Sequence, residues 1–210
     1  AIASNYRDNG LFPVGKGAHD TIAATLLAKE RFPSIETVYL FGVSMGGAVS
    51  ATAITESIAL SGDGRSLFDH WIAPEPLTNL LEAWLEASVA LPEIADNIAA
   101  DVGGTPVEAP AEYQRRSGAL NALTMALGGL QTLTITHSVN DGLVVYNQGR
   151  EMATAAALAG IPTRLYTVLR VASDQDTGGQ LSSAITGFAG LPDPTEPLSL
   201  SGHGYEGDPH

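Results

Sequence analysis

The 210-residue chain contains no cysteine. Disulfides, thiolate metal sites and a cysteine nucleophile are therefore excluded, while a cysteine-free chain suits an oxidising or a reducing compartment alike. Basic residues are scarce: 10 Lys and Arg stand against 23 Asp and Glu, a formal net charge of −13. Without a clustered Lys/Arg stripe such a surface repels phosphate backbones, so neither nucleic acid nor an anionic membrane is expected as a partner. Long apolar runs are also missing, and none approaches the roughly 20 residues of a membrane-spanning helix. The start, Ala1-Ile2-Ala3-Ser4-Asn5, lacks the basic residues and apolar stretch of a signal peptide. No metal-ligand spacing connects the five histidines, and neither metal nor cofactor is expected.

What is present is core-forming material. Hydrophobic residues make up 44% of the chain, enough for one domain spanning 1–210. Residues 37–44 form a continuous apolar and β-branched run, the pattern of a strand buried on both faces of a parallel sheet, and similar runs lie at 131–137 and 164–171. Between them, Ala- and Leu-rich segments at 18–31, 46–59 and 147–159 read as helices, so the expected fold class is α/β, a mostly parallel sheet flanked by helices. Asp20 and Thr21 are the expected start of the first helix and Pro33 its stop; Gly160 and Pro162 end the third. Residues 77–99 break the alternation. Leu77, Leu80, Leu81, Trp84, Leu85, Val89 and Leu91 recur at helical spacing there, which predicts one or two amphipathic helices, followed by a Gly- and Pro-rich loop over 101–110. The whole of 77–125 reads as a helical insertion, either a lid over a pocket or an extra packing layer. The Pro- and Gly-rich stretch from Gly190 to His210 reads as a long loop.

The chemistry is concentrated at Gly42-Val43-Ser44-Met45-Gly46-Gly47, a G-x-S-x-G sequence between a predicted buried strand and a predicted helix. A serine hydroxyl becomes a useful nucleophile when a tight turn exposes it beside a base and backbone N–H groups stabilise the oxyanion that forms. Gly42 and Gly46 leave room for such a turn, Gly47 lets the helix pack closely, and the Met45 N–H at the helix start is an expected oxyanion donor. A competing motif, Gly10-Leu11-Phe12-Pro13-Val14-Gly15-Lys16-Gly17, matches a phosphate-binding loop except at its last position, where Gly17 replaces the Ser/Thr that would hold magnesium. Pro13 removes a backbone N–H from the cradle and no strand of useful length precedes Gly10, so the better reading is a loop at a cleft, with Tyr6, Leu11 and Phe12 as candidate pocket residues.

Several further segments occur in a recognisable order around the elbow: Asn5-Tyr6-Arg7-Asp8-Asn9-Gly10, then Asp20 with Ala23-Ala24, then Arg116-Ser117 before Leu120-Asn121-Ala122, then Thr136-His137-Ser138-Val139-Asn140-Asp141-Gly142-Leu143-Val144. Together they resemble the α/β-hydrolase superfamily, in its dienelactone-hydrolase and prolyl-oligopeptidase-like branch of esterases and peptidases. The last segment is similar to that branch's His-Gly-x-x-Asp-x-x-Val stretch, which implies that Asp141 is the acid of a catalytic triad. Independently, Asp141 follows an apolar strand at the edge where open α/β sheets bind ligands, although an Asp-Gly turn with a solvated carboxylate has the same local appearance. Asp69 and Glu75 are rival acids, ranked below it. The chain order Ser, Asp, His leaves His203 and His210 downstream, and His203, between Gly202 and Gly204, is the expected base. His137 is expected to be structural, and His19 and His70 have no legible carboxylate pattern around them.

The resemblance also places earlier strands and a first oxyanion loop before residue 1, and a helix after the histidine loop. The expectation is a fragment, a processed chain, or a fold completed by homo-oligomerisation or a partner chain, with the second oxyanion donor absent or supplied near Tyr6. The expected function is hydrolysis of a small-molecule carboxylic ester through an acyl-enzyme on Ser44, with Trp84, Leu143 and Val144 as further pocket residues. An aminopeptidase-like serine peptidase and a non-catalytic binding subunit of the same fold are the alternatives.

Overall fold

A computed structural model describes residues 1–3, 13–139 and 141–168. Among them, four parallel strands lie side by side in sequence order: β1 (Tyr39–Phe41), β2 (His70–Pro74), β3 (Thr132–Ser138) and β4 (Thr163–Val168). Their register pairs Leu40 with Trp71, Trp71 with Leu133, and Ile135 with Leu165, so one set of side chains shares a face. Helix α1 (Val14–Arg31) precedes β1, α2 (Met45–Leu60) links β1 to β2, and α7 (Tyr146–Leu158) links β3 to β4. On the shared face Leu40, Trp71, Ala73, Leu133 and Ile135 are buried against Ala51 and Ile54 of α2 and Met152 and Ala156 of α7. The α/β alternation with parallel pairing is as the run pattern predicts.

Two expectations about local structure are corrected. Among the described residues the 37–44 run is not a strand buried on both faces: β1 has three residues, and only Leu40 is buried, while Tyr39 and Phe41 are 65% and 63% exposed. An unbroken apolar run records hydrophobicity but not which described neighbours cover each face. Helix α1 begins at Val14 rather than near Asp20, with Pro13 at the N-cap and its carbonyl accepting from the Gly17 N–H at 2.7 Å. Gly15, Lys16 and Gly17 are thus helical. Gly15 is there for closeness: a Cβ on it would come within 3.2 Å of the Arg116 guanidinium.

Between β2 and β3 lie α3 (Leu80–Ala90), α4 (Pro92–Val102), α5 (Pro110–Arg115), a 3₁₀ turn (Ala119–Asn121) and α6 (Ala122–Leu127). Asn79 caps α3 by accepting from the Glu82 N–H, Pro92 occupies the first turn of α4, and Gly103 ends it in the left-handed conformation at φ +94°. A second apolar cluster joins Leu80, Ile98, Val102 and Tyr113 of these helices to Val14, Ala48, Val49, Leu77 and Val144. This cluster lies at the carboxyl edge of the sheet, so the 77–125 segment is packed where the elbow is. No helix among the described residues is long and apolar enough to cross a membrane.

Candidate active site

The turn from β1 into α2 holds Ser44 at φ +56° and ψ −123°, a conformation that a residue with a Cβ adopts only under strain. Its neighbours enforce it. The Gly42 N–H donates to Ile72 O at 3.0 Å and the Ser44 N–H to Pro74 O at 3.1 Å, which bind the turn to β2, while the Ser44 carbonyl accepts from Gly47 and Leu77 at 2.8 and 3.0 Å. A Cβ on Gly42 would strike the Gly46 carbonyl and Ser50 Oγ, and one on Gly47 would strike Pro76. The glycines are therefore required by close approach, as the motif implies. Gly46 and Gly47 donate to Val43 O and Ser44 O, which leaves the Met45 N–H as the helix-start donor next to Ser44.

Asp141 lies just after β3 at the same carboxyl edge. Its side chain is fully buried, and Oδ1 accepts from the Leu143 and Val144 N–H groups at 2.9 Å each. This is a carboxylate set into a backbone nest, not a solvated Asp-Gly turn. His137, on β3, is completely buried beneath it, with Nε2 2.8 Å from Val144 O and 3.4 Å from Asp141 Oδ2. Both neighbours are acceptors, so Nε2 is the protonated nitrogen and donates to the Val144 carbonyl. Gly149 of α7 permits the ring to sit there, since a Cβ on it would collide with His137 Nδ1. His137 is thus a structural support of the Asp141 loop.

The rival acids separate cleanly. Asp69 precedes β2, where its Oδ2 accepts from Val38 N at 2.8 Å and its Oδ1 from Gln131 Nε2 at 3.0 Å. It occupies the amino edge of the sheet, opposite Ser44. Glu75 follows β2 at the carboxyl edge, is fully buried, and has a φ of +46° with its N–H donating to Thr136 O. His19 has a carboxylate partner after all, Glu56 at 2.9 Å, and His70 bonds Thr132 Oγ1 at 2.8 Å; neither is near the elbow.

A cleft of about 80 Å³ opens beside Ser44. Its walls are Met45 and Leu77, Ala83 and Ala87 of α3, Leu91, Ile94 and Ile98 around α4, and Leu143 and Val144 behind Asp141; the two polar residues besides Ser44 are Glu86 and Gln148. Leu143 and Val144 line it. Trp84 packs against the second apolar cluster and is not among the described residues that line the cleft. Helix rotation is the reason, because Ala83, Glu86 and Ala87 share the cleft-facing stripe at three- and four-residue spacing while Trp84 is turned about 100° from Ala83. Tyr6, Leu11, Phe12 and His203 lie outside the described residues.

Two residues of this site went unnoticed in the sequence. Gln148 is buried in α7 and ties α3 to it: Oε1 accepts from the Thr78 and Asn79 N–H groups at 2.9 and 2.7 Å, and Nε2 donates to Asn79 O at 3.1 Å. Nothing local marks a glutamine seventy residues away as the anchor of a helix start. Glu86 is half-buried, and burial, followed by the charge of Glu82, pushes its pKa up to about 7. In the sequence it stands only as one of three glutamates, with Glu82 and Glu93, that interrupt the Leu-rich period of 77–99.

The profile of the prolyl oligopeptidase family matches residues 9–171, most of the chain and all of the elements that build the site. The chain belongs to the prolyl oligopeptidase family. Among solved structures, the fold is similar to that of a puromycin-hydrolysing peptidase of Mycobacterium tuberculosis, with 19% identity, a TM-score of 0.59, and 75% of this chain covered against 22% of that one. Porphyromonas gingivalis dipeptidyl peptidase 4 is similar at 19% identity and a TM-score of 0.55, covering 75% of this chain and 20% of the other. Acylaminoacyl peptidase of Pyrococcus horikoshii follows at 16% identity and 0.54, with 74% and 23% covered. The family chain described here thus spans about a fifth of the length of these solved chains. No curated protein sequence matches it. The parallel sheet flanked by helices is the α/β-hydrolase fold.

Proposed function

We propose that this chain carries a serine hydrolase centre that cleaves amide bonds of peptidyl or aminoacyl substrates through an acyl-enzyme on Ser44. The observation that carries the reading is the strained Ser44 backbone at the β1–α2 turn, held over an apolar cleft. Strain of this kind persists where the surroundings over-determine it, and here it presents the hydroxyl at the sheet edge where ligands bind. In the proposed reaction Ser44 Oγ attacks the carbonyl carbon while its proton passes to His203. The Met45 N–H donates to the oxyanion, and the proton then goes to the departing amine as the C–N bond breaks. Water, deprotonated by the same histidine, attacks the acyl-enzyme and releases Ser44. Asp141 is the acid that orients His203, which is assigned from chain order.

Peptide bonds are preferred over the carboxylic esters first expected because the family and its solved relatives are named for peptidases. Esters remain the easier test substrates of the same machinery. The 77–125 segment is proposed as the wall that shapes the acyl side of the cleft, through α3 and α4. The test is fluorophosphonate labelling of the 210-residue chain, beside hydrolysis of paired anilide and ester substrates. Labelling at Ser44 that disappears in Ser44→Ala, with anilide cleavage lost in Ser44→Ala, Asp141→Ala and His203→Ala, is the expected result. Ester turnover without any anilide turnover would return the assignment to an esterase, and a folded protein that takes no label would make it a binding subunit.

A further inference from the structure

The cleft beside Ser44 is lined by alkyl groups on nearly every side, and one charged side chain breaks the pattern. Glu86 projects from the cleft-facing stripe of α3 and makes no hydrogen bond or ion pair with any described residue. Glu82, one turn earlier on that stripe, is different: Asn147 Nδ2 donates to its Oε1 at 2.9 Å and Gln148 Nε2 lies 3.4 Å from its Oε2, so it is held by neutral amides. The other groups packed around Glu86 do not neutralise it. Neither α3 nor α4 carries a base, and the chain has no Lys, Arg or His between His70 and Arg115. Met45, Leu143 and Val144 are uncharged, Gln148 is engaged by the start of α3, and Asp141 behind them is itself an acid. Among the described residues no counter-charge stands beside this carboxylate on its apolar wall, and a cationic ligand group is what would complement it.

The shape adds the second constraint. At about 80 Å³ the cleft is roughly half the volume of a cavity of about 150 Å³ that takes up benzene. It suits an unbranched alkyl chain better than an aromatic ring. Alkyl stem along apolar walls, cation at the far carboxylate: that is the anatomy of a long basic side chain.

We propose that Glu86 makes this cleft selective for a lysine- or arginine-type side chain on the residue whose carbonyl Ser44 attacks. The inference deepens the proposed function and rests on it for the identity of the reacting carbonyl, but its binding step can be measured without catalysis. Ser44→Ala protein is titrated calorimetrically at about pH 8, where Glu86 is ionised, with N-acetyl-lysine methylamide and with N-acetyl-norleucine methylamide, which shares the stem and lacks the ammonium. The lysine compound is expected to bind about tenfold more tightly, and the isosteric Glu86→Gln change is expected to abolish that preference while leaving norleucine binding unchanged. Glu93→Gln, at an exposed position of α4, removes the same charge from the same insertion and is expected to keep the preference.

Equal binding of the two compounds overturns the proposal. So does a lysine preference that survives Glu86→Gln, or the failure of a folded protein to bind either. Fluorophosphonate labelling of the unmutated chain separates the two readings: labelling at Ser44 without a lysine preference removes this inference alone. A Glu86-dependent lysine preference without labelling removes the hydrolase reading and leaves the cation site standing.

Discussion

At the scale of single residues, Ser44 and Glu86 are both held in states that cost stability. Ser44 is kept at positive φ by the hydrogen bonds of Gly42, Gly47 and Leu77 around it. Ser44→Gly should relieve the Cβ strain and raise stability by about 1 kcal/mol, after allowing for the greater freedom of glycine in the unfolded chain, while removing the hydroxyl. Urea denaturation with parallel fluorophosphonate labelling checks both halves, and a loss of stability would mean that the backbone is not strained there. Glu86 has a raised pKa, about 7 against 4.5, so the folded chain binds more protons than the unfolded one between those values. Its contribution is therefore fully present below pH 4.5 and declines as pH rises through 7. Because the group is only half-buried, solvent screening reduces the effect to the order of 1 kcal/mol. Glu86→Gln should flatten this part of the stability profile, raising the melting temperature at about pH 8 more than at about pH 5.

Among the elements, α3 depends most on contacts remote in the chain. Its N-cap is local, Asn79 to Glu82, but its position is set by Gln148 of α7 and by Ser117, whose Oγ accepts from the Leu80 N–H at 2.9 Å. Gln148→Ala would leave the Thr78 and Asn79 N–H groups without their acceptor in a buried setting and should cost about 2–3 kcal/mol. A smaller shift of the urea midpoint, below about 0.5 kcal/mol, would show that water replaces the amide without loss. The helices themselves were legible because their signals are local: Pro92, Gly103 and Gly160 sit where helix punctuation should, and the Leu-rich period of 77–99 resolves into α3 and α4. The start of α1 was not, because a proline at the N-cap and two glycines in the first turn read as loop. Gly15 packs against Arg116, about a hundred residues later, a contact that no local pattern announces.

For the whole molecule, a net charge of −13 creates a field that concentrates cations and excludes anions near the surface. With the proposed activity, kcat/KM for a lysine anilide should fall several-fold between about 20 and 500 mM salt, while that for a norleucine anilide stays level. A level response for both would confine any charge preference to the cleft. The α/β class and the elbow followed from the residue order by itself, because each depends on residue types within a few positions: an apolar run, and glycines spaced around a serine. The coverage of β1, the place of Trp84 outside the cleft, the burial of His137 beneath Asp141 and the arrival of Glu86 beside Ser44 were decided only by tertiary structure. Each is a relation between residues that helix rotation and sheet order bring together across dozens of positions, and a hydrophobic pattern says that a side chain is to be buried without saying against what.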